Sequence, residues 1–105
     1  MLNVVQAFDR APIADVATDA AAALERKLQA AQRVFKDRDG WLAAHQRMAI
    51  LRRLAGLMEA RRDHLALQIA REGGKPLADA VVETTRAIDG VHNAADELRN
   101  LAGRE

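Results

Sequence analysis

Cysteine and serine are both absent from this 105-residue chain. Without cysteine, these residues can form no disulfide and no thiolate metal site, and they offer no cysteine nucleophile. Without serine, a serine nucleophile is excluded as well. The lack of cysteine is compatible with a reducing compartment, and we expect a cytoplasmic protein.

Long apolar runs are also missing. The first residues do not show the basic segment followed by an apolar stretch that defines a signal peptide. The longest uncharged apolar runs fall far short of the roughly 20 residues that a membrane-spanning helix needs. The sequence therefore predicts neither a secretory signal nor interaction with a membrane.

Large apolar side chains are few. Half of the residues are apolar, but 23 are alanine, and leucine, isoleucine, valine and phenylalanine together number only 25. Burial stabilises a protein by roughly 25 cal/mol per Å² of apolar surface, and alanine has little surface to bury. Backbone conformational entropy opposes folding by about 1–2 kcal/mol per residue. We therefore expect a thin core that packs against another protein surface.

The pattern of the sequence predicts a mainly α-helical chain with a short N-terminal β-hairpin. β-Branched residues in LNVVQAFDRAPIADVAT indicate strands over residues 3–8 and 13–17, with DRAP as the turn between them. A helix follows and ends near Arg38, since apolar side chains recur on one face. That face consists of Leu24, Leu28, Ala31 and Phe35. We expect Thr18 or Asp19 to cap this helix and Gly40 to adopt a left-handed conformation after it.

Two further helices are separated by a glycine-rich turn. The first of them begins near Ala43 or Ala44, and the charged stretch EARRDHL indicates a break near Arg62–Asp63, with Asp63 as the new cap. One continuous helix is the alternative. Gly73 ends this segment, and Pro76 fits the first turn of the last helix, where a missing N–H costs nothing.

The last helix shows a seven-residue apolar spacing that begins at Leu77. The spacing predicts a broad apolar stripe of the kind that faces a core. Its members are Leu77, Thr84, Val91 and Leu98; Ala80, Ala87, Ala94 and Leu101; and Val81, Ile88, Ala95 and Ala102. We divide the chain into a hairpin, residues 1–18, and a helical segment, residues 19–105. Together they form one partial domain.

The Gly74-Lys75 pair raises the question of a phosphate-binding loop. Such a loop reads G-x-x-x-x-G-K-[ST] and follows a strand. Here residue 69 is isoleucine instead of the first glycine, and Pro76 replaces the hydroxyl residue that would hold magnesium. The preceding element is also predicted to be a helix. These residues are therefore interpreted as a turn between helices.

No other cluster in the sequence predicts a catalytic or metal site. The three histidines, His45, His64 and His92, are far apart and lack an H-E-x-x-H partner. A basic band suggests nucleic-acid binding, but acidic neighbours dilute it and no aromatic residues interleave for stacking. The band consists of Arg47, Arg52, Arg53, Arg61 and Arg62. A solvated, ion-paired helix face is favoured, and we predict no nucleic-acid partner.

The order of the segments resembles the N-terminal part of the NAD(P)-dependent aldehyde dehydrogenase superfamily. The hairpin precedes a helix containing AAQRVF, then QRMAILRRLAGLMEARRDHLALQIAREGGKPLADA, and then VETTRAID leading to LAG. The most specific part is Glu72, Gly74, Lys75 and Pro76, followed by residues 83–86. The hairpin residues AFDRAPIADV are similar to a branch near lactaldehyde-like or phosphonoacetaldehyde-like dehydrogenases.

The resemblance implies a fragment of an α/β fold, from the outer part of a cofactor-binding domain. It implies an enzyme that oxidises an aldehyde to an acid with NAD or NADP. In that family the nucleophile, the catalytic glutamate and the cofactor glycines lie beyond the region that this chain resembles. We therefore assign no catalytic residue, no cofactor-binding residue and no metal ligand here, and we expect the 105 residues to be inactive alone.

The expected partner is the remainder of the dehydrogenase subunit, which would cover the apolar stripe of the last helix. On this interpretation the chain is a truncated or proteolysed piece that exposes the stripe and self-associates through it. An autonomous helical protein-interaction module is the alternative, because the same stripe can bind a partner helix.

Overall fold

The computed structural model describes residues 1–101, and within them the element order is two strands followed by four helices. The strands are β1 (Leu2–Val5) and β2 (Pro12–Val16), and the helices are α1 (Ala21–Lys36), α2 (Ala44–Glu59), α3 (Arg62–Gly73) and α4 (Leu77–Glu97). The predicted mainly helical fold with an N-terminal hairpin is confirmed. None of these helices is long and apolar enough to cross a membrane.

The two strands pair antiparallel, with Leu2 opposite Val16 and an irregular register between Val4 and Val5. The first strand ends earlier than predicted because residues 6–11 form the turn. Within this turn the Gln6 N–H donates to the Ala11 carbonyl at 2.8 Å. Asp9 Oδ1 accepts from the Ala11 N–H at 2.9 Å, an arrangement that aspartate commonly makes in turns.

Helix α1 begins without a side-chain cap, so the predicted capping by Thr18 or Asp19 is wrong. Both side chains are engaged elsewhere: Thr18 Oγ1 accepts from the N-terminal ammonium group at 3.1 Å, and Asp19 forms an ion pair with Lys27. The expected left-handed Gly40 is also wrong. The Gly40 N–H donates instead to Asp37 Oδ1 at 3.3 Å, which closes the turn without a left-handed residue.

Helix α2 begins at Ala44, as predicted, and Gln46 Oε1 accepts from the Ala43 N–H at 3.0 Å. It ends at Glu59, and α3 starts at Arg62. The predicted break is therefore confirmed, and the continuous-helix alternative is wrong. Asp63 does not cap α3, contrary to expectation; it lies in the first turn. There its negative charge interacts favourably with the positive end of the helix dipole.

Helix α4 packs across both α2 and α3, which contact each other only slightly. The buried residues come from all three helices, and they are Ala55, Ala66, Ala80, Thr84, Ile88 and Ala95. Four of these six are alanines with no exposed surface. The predicted thin core is confirmed, because little apolar area is available where the helices meet.

The chain as a whole is extended. Its radius of gyration is 18.3 Å, whereas a compact domain of this length has about 13 Å. The difference arises because α1 makes no substantial packing contact with another element in the described part of the chain. The molecule therefore consists of a three-helix unit, formed by α2, α3 and α4, and of a hairpin and α1 beside it.

Candidate functional site

The junction between α3 and α4 is a sharp chain reversal built on Gly74. Gly74 takes a left-handed conformation with φ of 67°, and its N–H donates to the Ala70 carbonyl at 2.9 Å. Glycine adopts this conformation without the steric penalty that a Cβ brings. Pro76 immediately precedes α4, one residue earlier than predicted, and its carbonyl accepts from the Ala80 N–H at 3.1 Å. The predicted turn between helices is confirmed.

Lys75 is occupied by an ion pair in this junction. Its ammonium group contacts the Glu83 carboxylate, one turn and a half into α4. The element before the glycines is a helix, whereas a phosphate-binding loop follows a strand. The junction therefore lacks the preceding strand and the unpaired lysine that a phosphate-binding loop uses.

The Lys75–Glu83 pair contributes little stability, and Lys75→Ala tests this. The two side chains are 40% and 52% exposed, so water screens the attraction. We expect the free energy of unfolding to fall by less than about 1 kcal/mol. Urea unfolding of the two single variants, Lys75→Ala and Glu83→Ala, and of the double variant measures the coupling. A coupling energy well above that range would show that the pair is a structural anchor.

The hairpin attaches to the helical part at this same junction. The Ala7 N–H donates to the Arg71 carbonyl at the end of α3, with an N–O distance of 3.0 Å. A Cβ placed on Gly74 would lie 2.7 Å from the Ala7 Cβ. Gly74 therefore has two roles, because it permits the left-handed turn and leaves room for the hairpin. Sequence reasoning identified the first role and missed Ala7, which carries no motif of its own.

Two of the five arginines in the arginine band form ion pairs within the described residues. Arg52 reaches Asp96 across the α2–α4 contact at 3.4 Å, and Arg62 pairs with Glu59. The pKa of Arg62 is raised because Glu59 accepts its hydrogen bond and adds a negative charge, with Asp63 and Asp89 contributing further. The predicted ion-paired face is therefore observed for Arg52 and Arg62, and the absence of a nucleic-acid partner stays a prediction.

The histidines are distributed over three helices, with His45 in α2, His64 in α3 and His92 in α4. Within residues 1–101, no group of three or more histidine, aspartate or glutamate side chains converges as a metal site would require.

The apolar stripe of α4 divides into a buried face and an exposed flank. The buried face follows Ala80, Thr84, Ile88 and Ala95, and Thr84 Oγ1 donates to the Ala80 carbonyl at 2.8 Å. Leu77 is 53% exposed, and Leu101, at 70%, lies beyond the end of α4 at Glu97, so the helix is shorter than predicted; Ala102 lies outside the described residues. The expectation of one broad stripe is corrected, since α2 and α3 cover only the part that faces them.

The exposed flank of α4 continues onto α3 and forms an apolar surface that we name the α3–α4 patch. It consists of Leu67, Leu77 and Val81, which are 42%, 53% and 37% exposed. A groove of about 270 Å³ runs through it, lined by Asp63, Ala66, Leu67, Leu77 and Val81. Contiguous apolar side chains of this kind mark surfaces that contact another protein segment.

A second apolar surface lies on α1, and we name it the α1 face. It consists of Leu24, Leu28, Ala31 and Phe35, and no residue of α1 is buried. At its C-terminal end the Arg38 guanidinium lies 4.2 Å from the Trp41 ring centre and 4.9 Å from that of Phe35. The sequence predicted the apolar face of α1 but not its exposure, because periodicity does not reveal whether a partner is present.

Comparison with known proteins identifies the family. The model of the aldehyde dehydrogenase family matches residues 1–105. The chain belongs to this family, as its segment order and Glu-x-Gly-Lys-Pro residues indicated.

Two relatives match most of the chain. Sulfoacetaldehyde dehydrogenase of Neptuniibacter caesariensis is 31% identical over 107 residues, covering 96% of this chain and 22% of the relative. The NADP/NAD-dependent aldehyde dehydrogenase PuuC of Escherichia coli (strain K12) is 34% identical over 101 residues, covering 91% of this chain and 20% of the relative. The chain thus spans about a fifth of the length of these relatives. No solved structure gives a significant match.

Proposed function

We propose that this chain is the N-terminal portion of a cytoplasmic NAD(P)-dependent aldehyde dehydrogenase, which oxidises an aldehyde to a carboxylic acid. The observation that supports the proposal most strongly is the family match over residues 1–105. The two relatives described above carry aldehyde dehydrogenase names, and one of them is named for both NADP and NAD. Within the parent enzyme, the hairpin and the helices would form the outer part of the cofactor-binding domain.

The chemistry of the proposed reaction must come from residues outside this chain. In the parent enzyme, a cysteine outside this chain would act as the nucleophile, a general base would activate water, and NAD or NADP would accept hydride from the substrate. This chain contains no cysteine, so it cannot supply the nucleophile. Its contribution is structural: the three-helix unit would form one wall of the domain, and the Gly-Lys-Pro junction would set the angle between α3 and α4.

The α3–α4 patch is the surface that we assign to the rest of the subunit. It exposes Leu77 and Val81 beside Leu67, in a groove whose lining residues all come from α3 and α4. Burying such side chains is worth about 1.5–3 kcal/mol for each that becomes fully covered. Docking of the remaining polypeptide on this patch would therefore stabilise the thin core of the chain.

The test compares the 105 residues with the full reading frame that encodes them. Incubated with NAD or NADP and short aldehydes, including sulfoacetaldehyde, the purified chain is expected to form no reduced nicotinamide, because it lacks a nucleophile. The full-length product is expected to reduce the cofactor in the same assay. The E. coli relative serves as the positive control for the assay.

Two results would contradict the proposal. Turnover by the 105-residue chain alone would show that it holds a catalytic site of its own. A full-length product that folds but oxidises no aldehyde would remove the assigned reaction. To test the patch, Leu77→Glu in the full-length enzyme should reduce yield and thermal stability. In the isolated chain it should leave the melting temperature nearly unchanged, since Leu77 is already exposed there.

A further inference from the structure

We propose that the α1 face binds the α1 face of a second copy of this chain, with the two helices antiparallel. This pairing is independent of the proposed enzymatic function, because it rests on the geometry and charges of α1 alone. It also differs from the self-association expected through the last helix, since it assigns that role to another surface.

The α1 face is exposed along its whole length. Leu24, Leu28 and Phe35 are 52%, 57% and 58% exposed, and α1 contributes no residue to the core of the chain. Residues spaced by four, three and four lie along one side of a helix. The surface is therefore a straight apolar stripe, and its 16 residues span about 24 Å along the helix axis.

The charges beside the stripe are complementary to those of an inverted copy of the same helix. Glu25 and Lys36 are eleven residues apart, so they lie only about 20° from each other around the helix axis. Both therefore flank the same side of the stripe, at its opposite ends. The midpoint between Glu25 and Lys36 falls within one residue of the midpoint between Leu24 and Phe35. A twofold axis through the centre of the stripe thus brings Glu25 of each copy towards Lys36 of the other.

The opposite flank of the stripe does not counteract this pairing. Its charged residue is Lys27, which already forms an ion pair with Asp19 of its own chain. Glu25 has only Gln29 as a hydrogen-bond partner within α1, at 2.9 Å, so the carboxylate stays at the surface. In an antiparallel pair, Glu25 and Lys36 of different copies therefore lie together on one flank of the stripe. On the other flank the charge of Lys27 is balanced by Asp19 of its own chain.

An aromatic cluster at the end of the stripe enlarges the surface available for pairing. Phe35, Arg38 and Trp41 stack on each other, with the two ring centres 5.6 Å apart, and Trp41 is 43% exposed. Tryptophan and arginine are enriched among the residues that dominate binding at protein interfaces. The Trp41 Nε1–H donates to the Val34 carbonyl at 3.3 Å, which holds the indole against α1. The cluster therefore extends the apolar surface beyond the last turn of the helix.

Sedimentation of the 105-residue chain over about three decades of concentration tests the proposal. A pair of 16-residue helices buries less than the roughly 1,200–2,000 Å² of a stable complex, so we expect a weak dimer. The mass should rise from 11.5 kDa towards twice that value. Trp41 is the sole tryptophan, so its emission should shift over the same concentrations.

Leu28→Glu should raise the dissociation constant by more than about tenfold, since it places charge at the centre of the stripe. Leu77→Glu is the matched control, because it places the same charge on the equally exposed α3–α4 patch. It should dimerise like the unmodified chain. Circular dichroism melting of both variants separates loss of association from loss of fold.

Charge reversal tests the antiparallel orientation. Glu25→Lys and Lys36→Glu should each weaken the dimer, and the combined variant should restore it. A parallel pair would keep Glu25 of one copy and Lys36 of the other at opposite ends of the helices and would show no such rescue. The proposal is overturned if the unmodified chain stays monomeric throughout. It is equally overturned if Leu77→Glu abolishes association while Leu28→Glu does not, or if the combined variant fails to recover.

Discussion

Replacing Gly74 by alanine is expected to lower the free energy of unfolding by about 2 kcal/mol or more. Left-handed backbone costs roughly 1–2 kcal/mol for a residue with a Cβ, and Gly74 has φ of 67°. The new Cβ would also lie 2.7 Å from the Ala7 Cβ, so the hairpin would have to move. Urea unfolding followed by circular dichroism measures the loss.

Gly90→Ala is the matched control for this variant. Gly90 lies within α4, and a Cβ added there would meet no neighbouring atom within 4 Å. Alanine is therefore expected to stabilise the protein there by about 0.5–1 kcal/mol. Adding Ala7→Gly to Gly74→Ala should recover the stability lost through the contact with the Ala7 Cβ. It should not recover the stability lost through the left-handed backbone conformation. Equal effects of alanine at Gly74 and Gly90 would contradict the assigned role of the turn.

Ile88→Ala is expected to cost about 2–5 kcal/mol, because it removes the largest apolar side chain in the core. Ile88 is 4% exposed and lies on the face of α4 that packs against α2 and α3. The surrounding buried residues are mostly alanines, whose short side chains cannot move into the cavity. Natural domains are stable by only about 5–15 kcal/mol. Thermal melting should therefore show a large drop in the midpoint or a chain that no longer unfolds cooperatively.

Val82→Ala provides the comparison for this core variant. Val82 lies on the same helix but is 48% exposed, so its truncation should change stability by no more than about 0.5 kcal/mol. Similar losses for both variants in the isolated chain would show that the core has been assigned to the wrong side of α4.

The helices were predictable from the sequence because their order and ends depend on local signals. Apolar periodicity located α1, α2 and α4, and the charged stretch around Arg61 indicated the break between α2 and α3. Gly74 and Pro76 define the last junction through their own backbone preferences, which no tertiary contact has to supply. These features belong to neighbouring residues, and a single sequence contains them.

The helix caps were less predictable because a capping side chain has competing partners. Thr18 and Asp19 suit a cap chemically, but the N-terminal ammonium group and Lys27 take their oxygens instead. Asp63 lies two residues beyond the N-cap position of α3, which is Arg61, so it does not cap the helix. Each outcome depends on which donor is closest in the folded chain, and residue type alone does not determine that.

Burial was the property that sequence reasoning assigned least well. The seven-residue spacing in α4 identified apolar positions, but it could not tell Ile88, which is buried, from Leu77, which is exposed. The same limit applies to α1, whose regular face resembles that of a core helix. Periodicity reports that a face is suited to contact; only the positions of the other elements show which part of it is covered.

The attachment of the hairpin has a consequence for the order in which the chain folds. Helices form from contacts that are close in sequence, and such contacts are made early. The carbonyl that holds Ala7 belongs to Arg71, at the far end of the third helix, and the space beside Gly74 exists only after that helix has turned. The strands precede every helix along the chain, yet we expect them to be among the last elements to dock, because the junction that receives them must form first.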